Sequence, residues 1–146
     1  MLATNDYELY DDAPVAIDIA TKLHSMLVTT QQLAQMGATI AADGVNPMSG
    51  VPVFDGKLSE NIVAMMAAKG PKKMRKPWMT ITGVPAMSSF GCGFMTVIPG
   101  FGSIAAFSPE LIDGHVPFKA AMAMREIVTT LDLNVFASPR VKVKKE

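Results

Sequence analysis

The residues with the clearest chemical potential lie in the run Ser88-Ser89-Phe90-Gly91-Cys92-Gly93. Small residues ahead of a strand let the backbone approach a ligand closely, and exposed backbone N–H groups there can hold an oxyanion or a carboxylate. A purely structural interpretation, a strand start softened by glycine, stands beside it. The run does not match a dinucleotide-binding fingerprint, which needs a strand before it and a helix after it.

Histidine and cysteine offer little for metal binding or nucleophilic catalysis. His24 and His115 are far apart in sequence, and neither has a carboxylate or a cysteine at metal-ligand spacing. His24 is near the apolar face of a predicted helix and is interpreted as structural. Cys92 is the single cysteine, and no histidine is identified as its partner. The residues alone therefore predict no metal, no cofactor and no catalytic machinery.

Charge and composition limit the partners and the compartment. The 13 Lys+Arg balance 13 Asp+Glu, which argues against nucleic-acid binding by phosphate neutralisation. The four positive charges between Lys72 and Lys76 are interpreted as a solvated loop, with an anion patch or an import signal as alternatives. The first twenty residues carry acids and no base, unlike a signal peptide, and the lone cysteine fits a reducing compartment. We expect a cytoplasmic protein.

The uncharged stretch from Pro77 to Pro109 is long enough to span a bilayer, but it is interrupted by Pro85, Pro99 and several glycines. A continuous helix is therefore not expected, and the stretch is interpreted as buried β structure without membrane contact.

Periodicity predicts the elements that would position the Ser88–Gly93 run. A first helix begins after Asp12 with Pro14, a second is capped by Thr29 or Thr30, a third opens at Ser59, and a fourth opens at Pro117. Alternation predicts three strands, at Trp78–Thr82, Phe94–Ile98 and Ser103–Phe107, with Pro99–Gly102 as a hairpin turn. The order indicates an α+β fold, with an antiparallel sheet flanked by helices.

Longer motifs resemble a known family. Leu33 to Ala41, which reads Leu-Ala-Gln-Met-Gly-Ala-Thr-Ile-Ala, and the Gly-Val-Asn-Pro that begins at Gly44 are similar to a signature of the serine-dependent glutaminases. Gly83 to Gly91 resembles their Gly-Leu-Pro-Gly-Lys-Ser-Gly-Val-Gly. Three further motifs continue in register: Val97–Gly100, Ala106–Pro109 and Leu133–Phe136. The resemblance covers residues 1–136 and corresponds to the C-terminal half of the family's domain, leaving 137–146 as a basic tail.

This resemblance implies a fold and a reaction. The fold is part of the serine β-lactamase/transpeptidase-like α/β architecture. The reaction is hydrolysis of L-glutamine to L-glutamate and ammonia, in which a Ser activated by the Lys of Ser-x-x-Lys forms an acyl-enzyme. Backbone N–H groups hold the oxyanion, one of them from the Val of Lys-Ser-Gly-Val.

Few of the family's functional positions match. Its two tyrosines correspond to Ala20 and Thr80, its Tyr-Asp-x-Ser-Gly loop to Lys72–Lys76, and the Lys of Lys-Ser-Gly to Met87. Ser88 and the backbone N–H of Phe90 remain as substrate-binding positions, with Phe in place of Val. We expect the Ser-x-x-Lys segment to lie upstream of this chain.

The resulting hypothesis is a glutaminase-family chain, truncated or a pseudoenzyme, which is inactive alone and has no catalytic residue of its own. The alternative is a non-catalytic interaction module that pairs with a full-length partner. Because the missing half would leave apolar surface open, we expect a homo-oligomer or a partner chain.

Overall fold

A three-stranded antiparallel sheet with helices on both faces forms the centre of the structure. The computed structural model describes residues 12–71, 74–112 and 116–137. The helices within these residues are α1 Ala13–His24, α2 Thr30–Ala41, α3 Gly56–Lys69, α4 Arg75–Thr82 and α5 Phe118–Thr130. The strands are β1 Ala86–Ser88, β2 Gly93–Ile98, β3 Gly102–Phe107, β4 Leu111–Ile112 and β5 Val116–Pro117.

The sheet has the strand order β1-β2-β3, and β4 and β5 form a separate short ribbon. Between β2 and β3, Phe101 N donates to Ile98 O at 3.0 Å across Pro99 and Gly100. Gly100 has φ +71°, so Pro then Gly matches the demands of a type II turn. The predicted hairpin is confirmed. Gly100 N also donates to Ala41 O at 2.8 Å, which fastens the turn to the end of α2.

Alternate residues of β2 face opposite helical layers, because side chains alternate across a strand. Phe94 and Ile98 pack with α5, whereas Met95 and Val97 pack with α2 and α3. Both faces of the sheet are therefore covered. This confirms the predicted α+β class, with an antiparallel sheet flanked by helices.

Three of the predicted helix starts are confirmed and one is wrong. α1 follows Asp12, α5 follows Pro117, and Thr29 forms a capping box with Gln32 at the start of α2. α3 begins three residues before Ser59, because the Asp55 side chain accepts a hydrogen bond from Lys57 N at 2.8 Å and caps the helix there.

The strand predicted at Trp78–Thr82 is a helix. Pro77 lies in the first turn of α4, where its missing N–H costs nothing, and Gly83 ends the helix in the left-handed conformation. Trp78 and Thr82 are buried one helical turn apart, and Thr82 Oγ1 donates to Trp78 O at 2.8 Å. The third strand of the sheet is instead β1, and the two-residue strands β4 and β5 were not predicted.

Trp78 is the centre of the largest core cluster. Its indole Nε1 donates to Val84 O at 2.8 Å, and its ring meets Phe94 edge-on with centroids 4.8 Å apart. Ala120, Ala121 and Met124 of α5 close the cluster. Three other aromatic residues, Phe90, Phe101 and Phe107, are exposed.

α1 lies on the surface, and none of its residues is buried. Its apolar residues Val15, Ile17, Ile19 and Leu23 are exposed, and Leu27 in the following segment is 99% exposed. His24, interpreted above as structural, is also exposed, and its Nδ1 lies 2.7 Å from Ala20 O. An amphipathic helix left open in this way is an unusual feature for a protein surface.

Several predictions fall wholly or partly outside the described residues. Lys72, Lys73 and His115 lie outside them, as does the basic tail from Ser138 onward. Arg75 and Lys76, predicted to belong to a loop, form the first residues of α4 because Pro77 and Gly83 delimit a helix there. Within the described chain, no helix is long and apolar enough to cross a bilayer.

The contact of α2 with the sheet gives a first prediction. A Cβ added at Gly37 would lie 2.7 Å from Ser103 Cβ and 2.8 Å from Met95 Sδ, both too close. We expect Gly37→Ala to lower the free energy of unfolding by about 1–2 kcal/mol, since overpacking outweighs the gain of roughly 1 kcal/mol in helix propensity.

Urea unfolding followed by circular dichroism would measure the change. Gly91→Ala is the matched control, because a Cβ there would lie 3.7 Å from Ser89 Oγ, at ordinary contact distance. Equal stability of the two variants would contradict the close packing at Gly37.

Candidate functional site

The Ser88–Gly93 run forms the hairpin that joins β1 to β2. Ser88 is the last residue of β1 and pairs with Phe94. Cys92 N donates to Ser89 O at 3.2 Å, and Ser89 N donates to Gly93 O at 3.0 Å. The structural interpretation of this run, a strand start softened by glycine, is therefore correct, since Gly93 begins β2. The same geometry places a short, closed loop at one end of the sheet.

Side chains and neighbouring backbone hold this loop in place. Ser89 Oγ accepts a hydrogen bond from Gly93 N at 3.2 Å, and Cys92 O accepts one from Ser108 N at 3.2 Å. Ser108 is buried, and its Oγ accepts a hydrogen bond from Ala120 N, in the first turn of α5, at 3.1 Å. The loop is thereby connected to the start of α5 through one serine.

Cys92 has φ +64°, in the left-handed region that favours glycine. In three-residue hairpin loops, a residue with this conformation follows the turn and allows the second strand to begin. Cys92 occupies that position between Gly91 and Gly93. The single cysteine therefore has a structural part in the hairpin, which sequence spacing did not reveal.

The two predicted substrate-binding residues share this hairpin. Ser88 is half-buried at the end of β1, and the Phe90 side chain is 62% exposed at the tip. On the α2 side, Leu33 Cδ2 would lie 3.3 Å from a Cβ added at Gly93, so the first turn of α2 borders the loop. The assignment of Ser88 and Phe90 to substrate binding remains a prediction.

The other positions singled out by sequence lie on separate elements. Ala20 is on the exposed helix α1, and Met87 is the middle residue of β1. Thr80 is on α4, where its Oγ1 donates to Lys76 O at 2.9 Å. Among the described residues, no three His, Cys, Asp or Glu side chains are grouped as metal ligands would be.

A cleft that sequence reasoning missed lies at the opposite end of the sheet. It encloses about 360 Å³ between α3, the two proline positions that flank β1 and β2, and the chain after α5. Its walls are mostly apolar, and its polar members are Asp43, Ser59 and Glu60. Ser59 was interpreted only as a helix start. Its place on the same helical face as Val63 is the one sequence signal for this cleft.

Comparison with known proteins gives a consistent result. The family profile described as Glutaminase matches residues 1–136. A glutaminase of Bacteroides thetaiotaomicron is 40% identical over 136 residues, which are 93% of this chain and 42% of that protein. A glutaminase of Mycobacterium marinum is 40% identical over 131 residues, which are 90% of this chain and 41% of that protein.

Solved structures agree with the sequence matches. The probable glutaminase ybaS superposes with a TM-score of 0.85 at 35% identity, over 89% of this chain and 42% of that one. The Bacillus subtilis glutaminase YbgJ, solved as a covalent complex with 5-oxo-L-norleucine, has a TM-score of 0.84 at 21% identity. That match covers 92% of this chain and 48% of YbgJ, and it shows likeness of fold.

The architecture is that of β-lactamase-like proteins, as the sequence resemblance implied. The chain belongs to the glutaminase family. It spans less than half the length of the curated relatives it matches, 42% in the Bacteroides thetaiotaomicron protein.

The left-handed backbone at Cys92 gives a second prediction. We expect Cys92→Gly to raise the free energy of unfolding by roughly 0.5–1 kcal/mol, because glycine adopts this conformation without the steric cost that a Cβ carries.

Denaturant unfolding at equilibrium would measure the difference. Cys92→Ala is the control, since it removes the thiol but keeps the Cβ, and it should give no such gain. If Cys92→Ala stabilised the protein as much as Cys92→Gly, the cause would lie in the thiol and not in the backbone.

Proposed function

We propose that this chain supplies the C-terminal part of a glutaminase-type domain whose reaction is the hydrolysis of L-glutamine to L-glutamate and ammonia. The observation that supports this most strongly is the family match over residues 1–136. The arrangement of the sheet and helices agrees with it, at a TM-score of 0.85. A cytoplasmic setting is part of the proposal and is supported by the single cysteine.

In this reaction a serine hydroxyl, deprotonated by a lysine, attacks the side-chain amide carbon of glutamine. The tetrahedral oxyanion collapses, the C–N bond breaks, and nitrogen leaves with a proton as ammonia. Water then attacks the acyl-enzyme and releases glutamate. We assign Ser88 and the backbone N–H of Phe90 to the substrate side of this site, as the family motif around Gly83–Gly91 implies. The hydrogen bonds that fix the hairpin support a positioning role.

The 146 residues themselves contain no Ser-x-x-Lys sequence. The family tyrosines are replaced by Ala20 and Thr80, and the lysine of the Lys-Ser-Gly motif is replaced by Met87. A site without its nucleophile has no covalent route, and the tyrosine replacements would impair it further. We therefore propose that the 146-residue polypeptide is inactive alone, as a truncated chain or a pseudoenzyme.

The purified 146-residue chain should release no ammonia from L-glutamine above a no-enzyme blank, while a glutaminase relative assayed in parallel does. Ammonia release would be followed by a coupled glutamate dehydrogenase assay. Turnover that survives repurification and is lost on Ser88→Ala would contradict the proposed inactivity.

A second experiment tests the site assignment. The chain would be fused behind the part of the Bacteroides thetaiotaomicron glutaminase that precedes the matched region. If the fusion is active, Ser88→Ala should lower kcat/KM, and Phe90→Val should maintain or raise it. No effect of Ser88→Ala would remove Ser88 from the site without affecting the family assignment.

A second candidate function is a non-catalytic module that pairs with another chain. The exposed apolar residues of α1 and Leu27 favour it, because exposed apolar side chains form a surface that a partner can cover. β3 also ends the three-stranded sheet, and an open strand edge can pair with another chain.

Light scattering on freshly purified protein over a concentration series tests this candidate. We expect a mass above 15.6 kDa that rises with concentration, because the exposed residues of α1 favour association. The variant Ile17→Lys/Leu23→Lys should lower the mass. A constant mass of 15.6 kDa, with no binding of a hydrophobic dye, would contradict self-association.

A further inference from the structure

The start of α5 lacks a cap of its own. Pro117 occupies the N-cap position, and its side chain has no atom that can form a hydrogen bond. The first N–H groups of a helix have no acceptor within the helix. Ala120, the third residue of α5, is 3% exposed, so solvent does not supply an acceptor for its N–H either. The acceptor must therefore come from another part of the chain.

Ser108 supplies this acceptor from a distant segment. Its Oγ accepts a hydrogen bond from Ala120 N at 3.1 Å, and the two residues are twelve positions apart. Serine is a preferred N-cap residue because its side-chain oxygen accepts from the second or third N–H of a helix. Ser108 does the same for α5 although it precedes the helix by many residues. Both Ser108 and Ala120 are buried, so the bond is shielded from water.

The backbone of Ser108 holds the hairpin that joins β1 to β2. Phe107, the last residue of β3, pairs with Gly93 at the start of β2. Ser108 follows directly, and its N–H donates to Cys92 O at 3.2 Å. Cys92 is the residue whose left-handed backbone closes the hairpin. One residue therefore joins the hairpin through its backbone to α5 through its side chain.

Bonds within the hairpin fix its shape but not its place against the helices. Cys92 N donates to Ser89 O at 3.2 Å, and Ser89 N donates to Gly93 O at 3.0 Å. Both bonds begin and end within the loop. The bond from Ser108 N to Cys92 O differs, because Ser108 is itself hydrogen-bonded to α5. That bond relates the loop to the α5 layer.

A second contact between the same segments is too exposed to do this. Lys119 Nζ lies 3.1 Å from Glu110 Oε2, and the two side chains are 72% and 79% exposed. Ion pairs between exposed side chains contribute little to stability. The buried pair of hydrogen bonds at Ser108 is therefore the connection that determines how the hairpin and α5 lie together.

We propose that Ser108 is a positioning residue of the glutamine site. Its two hydrogen bonds hold the Ser88–Gly93 hairpin against α5 and so set the positions of Ser88 and the Phe90 N–H. This inference rests on the proposed function, which assigns Ser88 and Phe90 to the substrate. A misplacement of about 1 Å at an active site can cost about a hundredfold in rate, so the support of such a hairpin matters to the reaction.

Native-state hydrogen exchange on the unaltered 146-residue chain is the first test. If Ser108 joins the hairpin to α5, the amides of Ser89, Cys92 and Ala120 open as one unit. We expect their protection factors to agree within threefold and to fall together as denaturant is added. Hairpin amides that exchange at least tenfold faster than Ala120 would show independent opening and overturn the proposal.

The variant Ser108→Ala removes the acceptor of Ala120 and keeps the backbone bond to Cys92. Exchange at Ser89 and Cys92 should accelerate at least tenfold more than exchange at Thr96, which is buried in β2. Acceleration confined to Ala120 and its helix would make Ser108 a helix cap alone. That result would overturn its part in the site.

Asp55→Ala is the matched control for loss of a helix cap. Asp55 caps α3, where it accepts a hydrogen bond from Lys57 N at 2.8 Å. This variant should also lower the midpoint of urea unfolding, but it should accelerate exchange in the hairpin no more than at Thr96. Equal acceleration of the hairpin by Asp55→Ala and Ser108→Ala would assign both effects to general loss of stability and overturn the proposal.

The fusion with the Bacteroides thetaiotaomicron segment tests the consequence for the reaction. Ser108→Ala should lower kcat at least tenfold and change KM less than threefold, because a displaced N–H donor is felt mainly in the transition state. Asp55→Ala should change both less than twofold, with circular dichroism confirming that each variant is folded. An unchanged kcat in the Ser108→Ala fusion would overturn the positioning role. A fusion that is inactive before any substitution counts against the proposed function alone, since hydrogen exchange decides how Ser108 holds the hairpin.

Discussion

The close approach of α2 to the β2–β3 hairpin is the contact on which the other layers depend. At Gly37 the helix backbone is near enough to Ser103 and Met95 that no side chain fits between them. At the end of α2, Ala41 O accepts the hydrogen bond from Gly100 N in the hairpin turn. These two points fix both the distance and the direction of the helix over the sheet. α3 then packs beside α2 through Met66, and α5 covers the opposite face.

The hairpin and the cleft depend on this arrangement in different ways. The Ser88–Gly93 hairpin is built from backbone hydrogen bonds and from Ser108, which connects it to α5. Its geometry is therefore set by the sheet and the α5 layer. The cleft is built from side chains of α3 and from Pro85 and Pro99 at the other end of the strands. The shape of the cleft therefore depends on the position of α3, and the packing of α3 against α2 sets that position.

Sequence reasoning predicted most of the fold because its signals were local. Pro117, and Pro99 with Gly100, determine a helix start and a turn through their own chemistry, and both were placed correctly. The cap predicted at Thr29 or Thr30 is Thr29. The failures came where a local pattern was ambiguous. Five residues from Trp78 to Thr82 alternate like a strand, but burial of Trp78 and Thr82 on one face of a helix decided the outcome. Sequence also could not predict the cleft, because its walls come from segments far apart in the chain.

Trp78 gives the core of this protein a fluorescence signal that its surface does not share. It is the only tryptophan, it is buried, and its indole donates to Val84 O while contacting Phe94. Ultraviolet emission from this indole therefore originates in the core formed by α4, α5 and the sheet. α1, with no buried residue, contributes backbone ellipticity and no tryptophan signal. A single unlabelled sample therefore gives two signals. Tryptophan emission reports on the core alone, and backbone ellipticity also includes the exposed helix.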